Sequence, residues 1–211
     1  MFYRLPIIKR RIKEAWKASN LLVGLTREGW LYTGGTYWLI VQDIKNTPKE
    51  FKAAIIELAG DLPAPGEVFR AGKDGNQMEM ENLDQYLLPQ IYQAVDSTGE
   101  DYEKTDIILR WGDSDIRFMH STEGKNAAIM SDEICSVPDP DMIDKGNGET
   151  EIIGPTRPVN GNSFIWHNDD TWFQAWPMDV PDTEGDPRRE DFLRVAKGFG
   201  CESIMGKEAI G

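Results

Sequence analysis

Apolar residues recur at helical spacing in four parts of the chain, and each repeat predicts an amphipathic helix. The first helix is expected over residues 7–19. The second begins at Thr47, which is suited to an N-cap, and Glu50 three residues later completes a capping box. A third is expected near residues 87–95, and the fourth starts at Pro187, a residue favoured in the first turn of a helix.

Short apolar runs bounded by turn residues predict strands between these helices. Gly34-Gly35 and Asp74-Gly75 are two-residue hairpin signals, because glycine adopts the backbone conformations that tight turns require. The expected strands are residues 21–26, 30–33, 36–42, 68–70, 77–80, 106–111, 116–120, 126–131, 162–166 and 171–176.

This element order predicts an α+β fold, with antiparallel strand meanders and three or four helices packed on one face of the sheet. Residues 96–104 are polar and acidic, and closely spaced strands follow them, so they form the expected boundary between two lobes. The lobes are an N-terminal α+β unit over 1–96 and a β-rich unit over 105–211, and a single domain is the alternative. Residues 138–150 carry two prolines and four acidic residues, which indicates a long exposed loop.

Composition narrows the class of protein. The 211 residues carry a formal net charge of −13, and 40% of them are hydrophobic, which excludes a disordered acidic chain. No apolar run approaches the roughly 18 residues that span a bilayer. Cys135 and Cys201 form no CxxC pair, so we expect neither a zinc ribbon nor a redox motif and predict a reduced, cytoplasmic protein.

Positive charge is concentrated on two of the predicted helices. The first carries five basic residues against one acidic residue, and the last carries four against two. The candidate partner-binding residues are therefore Lys9, Arg10, Arg11, Lys13, Lys17, Arg188, Arg189, Arg194 and Lys197. Two interpretations stay open: these cations pair with carboxylates of their own chain, or they contact a protein partner or a nucleic-acid backbone. A membrane surface is disfavoured, because the apolar stripe is short and the remaining chain is acidic.

The densest group of reactive side chains is His167, Asp169 and Asp170, which are candidates for catalysis or for holding a divalent metal. The same residues are also typical of a hairpin loop. The chain contains no GxSxG, GxxxxGK[ST] or GxGxxG motif and only two histidines, so we expect no cofactor and no zinc site.

Trp166, Trp172 and Trp176 lie on two strands that are predicted to pair. If they share an exposed face they form an aromatic platform for a partner, and if that face is buried they belong to the core.

Three functions follow from these features. The first is a non-enzymatic binding or assembly module that uses a basic helix on an acidic scaffold. The second rests on architecture alone: basic helices with an acidic sheet resemble the layout of DNA sliding clamps, where helices face the duplex, and a ring would then need several copies. The third is metal-assisted hydrolysis at His167, Asp169 and Asp170.

Overall fold

The computed structural model describes residues 1–81, 99–139, 152–158 and 161–205, and the structural statements below concern those residues. Its strands form one twelve-stranded sheet in the order β12-β8-β7-β6-β9-β10-β11-β3-β2-β1-β4-β5. Neighbouring strands are antiparallel except β12 and β8, which are parallel. The strands are β1 Leu21–Leu25, β2 Trp30–Gly35, β3 Trp38–Asp43, β4 Glu67–Gly72, β5 Gly75–Glu81, β6 Glu100–Trp111, β7 Ser114–Ser121, β8 Asn126–Ser131, β9 Ile153–Arg157, β10 Phe164–His167, β11 Thr171–Ala175 and β12 Ser203–Ile204.

Four helices accompany this sheet in the described part of the chain: α1 Leu5–Lys17, α2 Lys49–Ala59, α3 Asp132–Cys135 and α4 Pro187–Gly198. The α+β class is confirmed, with more of the chain in strands than in helices. None of these helices combines the length and the apolar character needed to cross a bilayer.

Three helices cover the same face of the sheet, called the helical face below. Ile12 of α1, Phe51 of α2 and Ile134 of α3 belong to one apolar core with Ile40 and Phe173 from the middle of the sheet. Because side chains alternate along a strand, the residues on either side of Ile40 and Phe173 point away from this core.

The fourth helix packs on the opposite face, so three of the four described helices share one face and the fourth does not. Phe192 and Ala196 of α4 belong to one apolar core with Phe118 of β7 and Ile129 of β8, whereas Met119, next to Phe118, belongs to the core of α1. An amphipathic helix can cover either face of a sheet, and local spacing does not say which. The two basic helices therefore lie on opposite sides of the sheet.

The predicted capping box of α2 is also absent. The N-cap position is Pro48, without a side-chain hydrogen bond, and the Thr47 hydroxyl donates instead to the Asp43 carbonyl at 2.8 Å. Thr47 therefore secures the turn between β3 and α2. The end of the helix agrees with the prediction, because Gly60 follows it with a φ of +86°.

The described residues do not test every sequence prediction. The expected helix over residues 87–95 lies outside the described residues, as does most of the loop over 138–150. β6 runs through the expected lobe boundary, and strands from both sides of it join the same sheet. The division into 1–96 and 105–211 stays a prediction.

Candidate nucleic-acid interface

The first helix is held on the sheet by one apolar side. Ile8, Ile12 and Ala15 are buried, and Pro6 lies in the first turn. The exposed side is the one that carries cations, as the sequence pattern predicts.

Three of these cations form a regular row, called the lysine row below. Lys9, Lys13 and Lys17 are exposed and follow one another at intervals of four residues. Four residues advance a helix by about 6 Å, so the three side chains project from neighbouring turns. None of them makes a salt bridge within the part of the chain that the structure describes.

The two arginines of α1 differ from the lysine row because they are neutralised within the fold. Arg10 approaches Glu133 of α3 at 3.2 Å, and Arg11 forms ion pairs with Glu133 and, at 2.7 Å, with Glu14. These contacts tie α1 to α3. No linear signal identifies Glu133 as the partner, because it lies 122 residues from Arg11.

The arginines of α4 are likewise engaged locally. Arg188 pairs with Asp186 at 2.7 Å, Arg194 pairs with Asp191 at 2.7 Å, and Arg189 donates to the Pro181 carbonyl at 3.2 Å. Lys197 is exposed. Since α4 lies on the opposite face from α1, the structure does not bring the two predicted basic groups together.

The predicted aromatic platform is divided between the two faces. Trp166 is directly opposite Phe173 in the β10–β11 ladder and is only 2% exposed, so it belongs to the core beneath the helical face. Trp172 and Trp176 are partly buried on the other face around Leu39 and Val41. Trp166 is therefore no part of a platform with the other two.

The loop with His167, Asp169 and Asp170 has the structure of a tight hairpin. The Asn168 side-chain oxygen accepts hydrogen bonds from the backbone N–H groups of Asp170 at 3.1 Å and Thr171 at 2.9 Å. Partial burial lowers the pKa of His167, and the nearby Asp169 charge opposes that shift. Asp169 is exposed.

Metal binding finds no ready site in the described ranges, and this includes the loop with His167, Asp169 and Asp170. No cluster of three or more histidine, cysteine, aspartate or glutamate side chains there is arranged to hold an ion. Cys135 is buried beside Met119, and burial raises the pKa of its thiol to about 12. Such a thiol stays protonated and unreactive at neutral pH.

A pocket that the sequence does not predict lies on the other flank of α1. It lies between α1 and the β2–β3 hairpin, has a volume of about 210 Å³, and includes Arg11, Ala15, Asn20, Tyr37 and Trp38 in its lining. Tyr37 lies at the hairpin tip and is 58% exposed. The sequence alone does not distinguish such an exposed aromatic residue from an aromatic residue of the core.

Comparison with known proteins assigns no family: no family model matches the chain, and no curated protein matches it.

Proposed function

We propose that this chain is a non-enzymatic binding module whose lysine row on α1 contacts the phosphate backbone of a nucleic acid. The observation that carries the proposal is the row itself: Lys9, Lys13 and Lys17 are exposed at regular helical spacing, while the neighbouring arginines are occupied by carboxylates. Regularly spaced cations that form no ion pair with the described residues suit a polymer with regularly spaced negative charges.

The composition of the row favours phosphate over a protein partner. Lysine is depleted in protein–protein interfaces, where aromatic residues and arginine are enriched around an apolar centre. The exposed residues between the lysines are Arg10 and Glu14, and neither is apolar. Lysine side chains are in contrast common phosphate contacts, which position a nucleic acid without reading its sequence.

The acidic remainder of the chain restricts how a nucleic acid approaches. With a net charge of −13, most of the surface repels a polyanion. A bound strand is therefore confined to the region of the lysine row. This predicts a short contact with moderate affinity and strong salt dependence.

The first experiment compares two triple variants of equal charge. In Lys9→Gln/Lys13→Gln/Lys17→Gln the row loses its charges, while glutamine preserves helix propensity. The control replaces three exposed lysines outside α1, at Lys45, Lys125 and Lys197, in the same way. Binding of a fluorescein-labelled 20-nucleotide strand, alone and as a duplex, is measured by fluorescence anisotropy at low salt.

We expect the α1 variant to bind at least about tenfold more weakly, and the control variant to bind like the wild type within about threefold. An equal loss of affinity in both variants would mean that binding depends only on the net charge of the protein. Poly-glutamate serves as a competitor of different chemistry. If it displaces the oligonucleotide at equal charge concentration, or if neither oligonucleotide binds, the phosphate assignment is wrong.

A clamp-like assembly is a second candidate, favoured by one arrangement. Helices α1 and α2 lie side by side on the helical face, and the edge strands β5 and β12 are at opposite ends of the described sheet. Edge strands are surfaces through which copies of a chain can join. Only α1 of the two basic helices would face the enclosed strand, because α4 is on the other side.

Light scattering after size-exclusion chromatography tests this second candidate. A ring former elutes with a mass that is a fixed multiple of 23.9 kDa and stays constant over a range of concentrations. A 23.9 kDa species at all concentrations would exclude the clamp while leaving the binding module intact.

A further inference from the structure

The pocket between α1 and the β2–β3 hairpin, called the hairpin pocket below, has one wall of aromatic residues. Trp38 is 5% exposed and contributes the buried part, whereas Tyr37 stands at the rim with more than half of its surface exposed. A volume of about 210 Å³ is smaller than the 300–1,000 Å³ typical of pockets for drug-sized ligands. The pocket therefore suits a single planar group rather than a larger molecule.

A glycine allows the hairpin to approach the helix and so form this pocket. A Cβ atom at Gly35 would lie 2.7 Å from the Trp38 ring nitrogen and 3.2 Å from the Ala15 side chain. Any larger residue would push the indole or α1 aside. Gly35 was expected to form the hairpin turn, but it lies in β2, where its role is this close contact.

Two polar atoms of the pocket residues lack a hydrogen-bond partner in the described structure. They are the Nε of Arg11, a donor, and the Oδ1 of Asn20, an acceptor. The Asn20 amide nitrogen donates to the Thr36 hydroxyl, which fixes the orientation of the amide against the hairpin. Both atoms are buried, so the pocket offers a ligand its aromatic wall rather than these two groups.

A nucleobase has the matching properties. Its flat ring stacks on aromatic side chains. In a duplex the bases are paired and the rings are already stacked on each other, so a pocket of this kind accepts a base only from a single strand. The lysine row lies on the other flank of α1, and a helix with its side chains is about 10–12 Å across. A strand of a few nucleotides can therefore reach both.

We propose that the hairpin pocket takes one unpaired base of a single-stranded nucleic acid, which stacks on Tyr37. This inference rests on the proposed function and gives it a substrate class: single strands bind in preference to duplexes. The lysine row supplies the backbone contact and the pocket supplies the preference.

The test uses the full chain, the variants Tyr37→Ala and Tyr37→Phe, and three labelled probes of equal length: oligothymidylate, a duplex, and a strand with abasic sites in place of most bases. Because Tyr37 is largely exposed, its removal should leave the melting temperature unchanged, which is checked first. Tyr37→Phe keeps the ring and is the matched control.

We expect Tyr37→Ala to weaken oligothymidylate binding at least about fivefold, as the loss of one stacked base predicts, and Tyr37→Phe to bind like the wild type. Binding of the duplex and of the abasic strand should not respond to either variant. If Tyr37→Ala binds oligothymidylate as well as the wild type does, or if the abasic strand loses affinity equally, the pocket assignment is overturned.

The two proposals fail in different ways. Loss of binding in the lysine-row variant together with no effect of Tyr37→Ala would retain the backbone contact and remove the base pocket. Absence of binding to any of the probes by the wild-type protein would remove both.

Discussion

Tyr3 and Gln42 form a buried hydrogen bond, with the phenol donating to the side-chain oxygen of Gln42 at 2.8 Å. The bond joins the N-terminal segment to strand β3 near the middle of the sheet. Tyr3 also packs against Phe51 of α2, with 5.2 Å between ring centroids. One side chain thus connects the segment before α1 to the sheet and to the second helix.

Replacing this tyrosine by phenylalanine should destabilise the protein through the group left behind. In Tyr3→Phe the buried oxygen of Gln42 loses its donor, which costs about 1–3 kcal/mol. The double variant Tyr3→Phe/Gln42→Leu removes both polar partners and should recover most of that loss. Urea denaturation measures both, and a double variant as unstable as the sum of the two single variants would contradict this account.

The two tryptophans of the β10–β11 hairpin should differ in their contribution to stability. Trp166 packs in the core against Phe173, with 5.4 Å between ring centroids, whereas Trp172 stacks on Trp30 at 4.8 Å on the partly exposed face. We expect Trp166→Ala to cost about 3–5 kcal/mol and Trp172→Ala clearly less. Thermal or urea unfolding measures the loss of stability in each variant. Equal losses would contradict the assignment of one ring to the core and the other to the partly exposed face.

The N-terminus of α4 should respond to acid. Asp186 accepts hydrogen bonds from the Arg188 side chain and backbone, and these lower the pKa of its carboxyl group to about 2 from 3.8. A lowered pKa in the folded state stabilises the protein above about pH 4, and this contribution is lost as the pH falls toward 2.

The matched comparison is Asp186→Asn, because asparagine also caps a helix but has no charge. At pH 5 the variant should melt below the wild type, and this difference should shrink as the pH approaches 2. Glu184→Gln removes one charge from the preceding exposed turn and serves as the control. A difference between Asp186→Asn and wild type that does not change with pH would show that the charge is irrelevant.

Local signals in the sequence were sufficient for most elements. The helix at Pro187 begins where predicted, with Asp186 as its cap, and the hairpin of β10 and β11 is found near its predicted position. Proline, glycine and alternating apolar residues act within a few positions of themselves, and such effects can be read without knowledge of the fold.

The faces of the sheet could not be read in the same way. Trp166 and Trp172 lie on strands that do pair, but a shift of the register by one residue moves a side chain to the other face. The register is set by the hairpin loop, where Asn168 binds the backbone of Asp170 and Thr171. This three-dimensional detail separates the two indoles.

The candidate site was predicted in part for the same reason. The lysine row follows from spacing within one helix. The pairing of Arg10 and Arg11 with Glu133, and the approach of Tyr37 to α1, depend on contacts between distant segments. Sequence therefore identified cations on α1 but did not show which of them stay available to a partner.

The central claim is that three lysines of α1 contact phosphates, and the salt dependence of binding counts such contacts. For a single strand the slope of log K against log salt concentration changes by about 0.7 for each phosphate contact. Measured from 50 to 300 mM salt, the slope for Lys9→Gln/Lys13→Gln/Lys17→Gln should be about two less steep than for the wild type. The variant with glutamine at positions 45, 125 and 197 should retain the wild-type slope. Equal slopes for the wild type and the α1 variant would contradict the account.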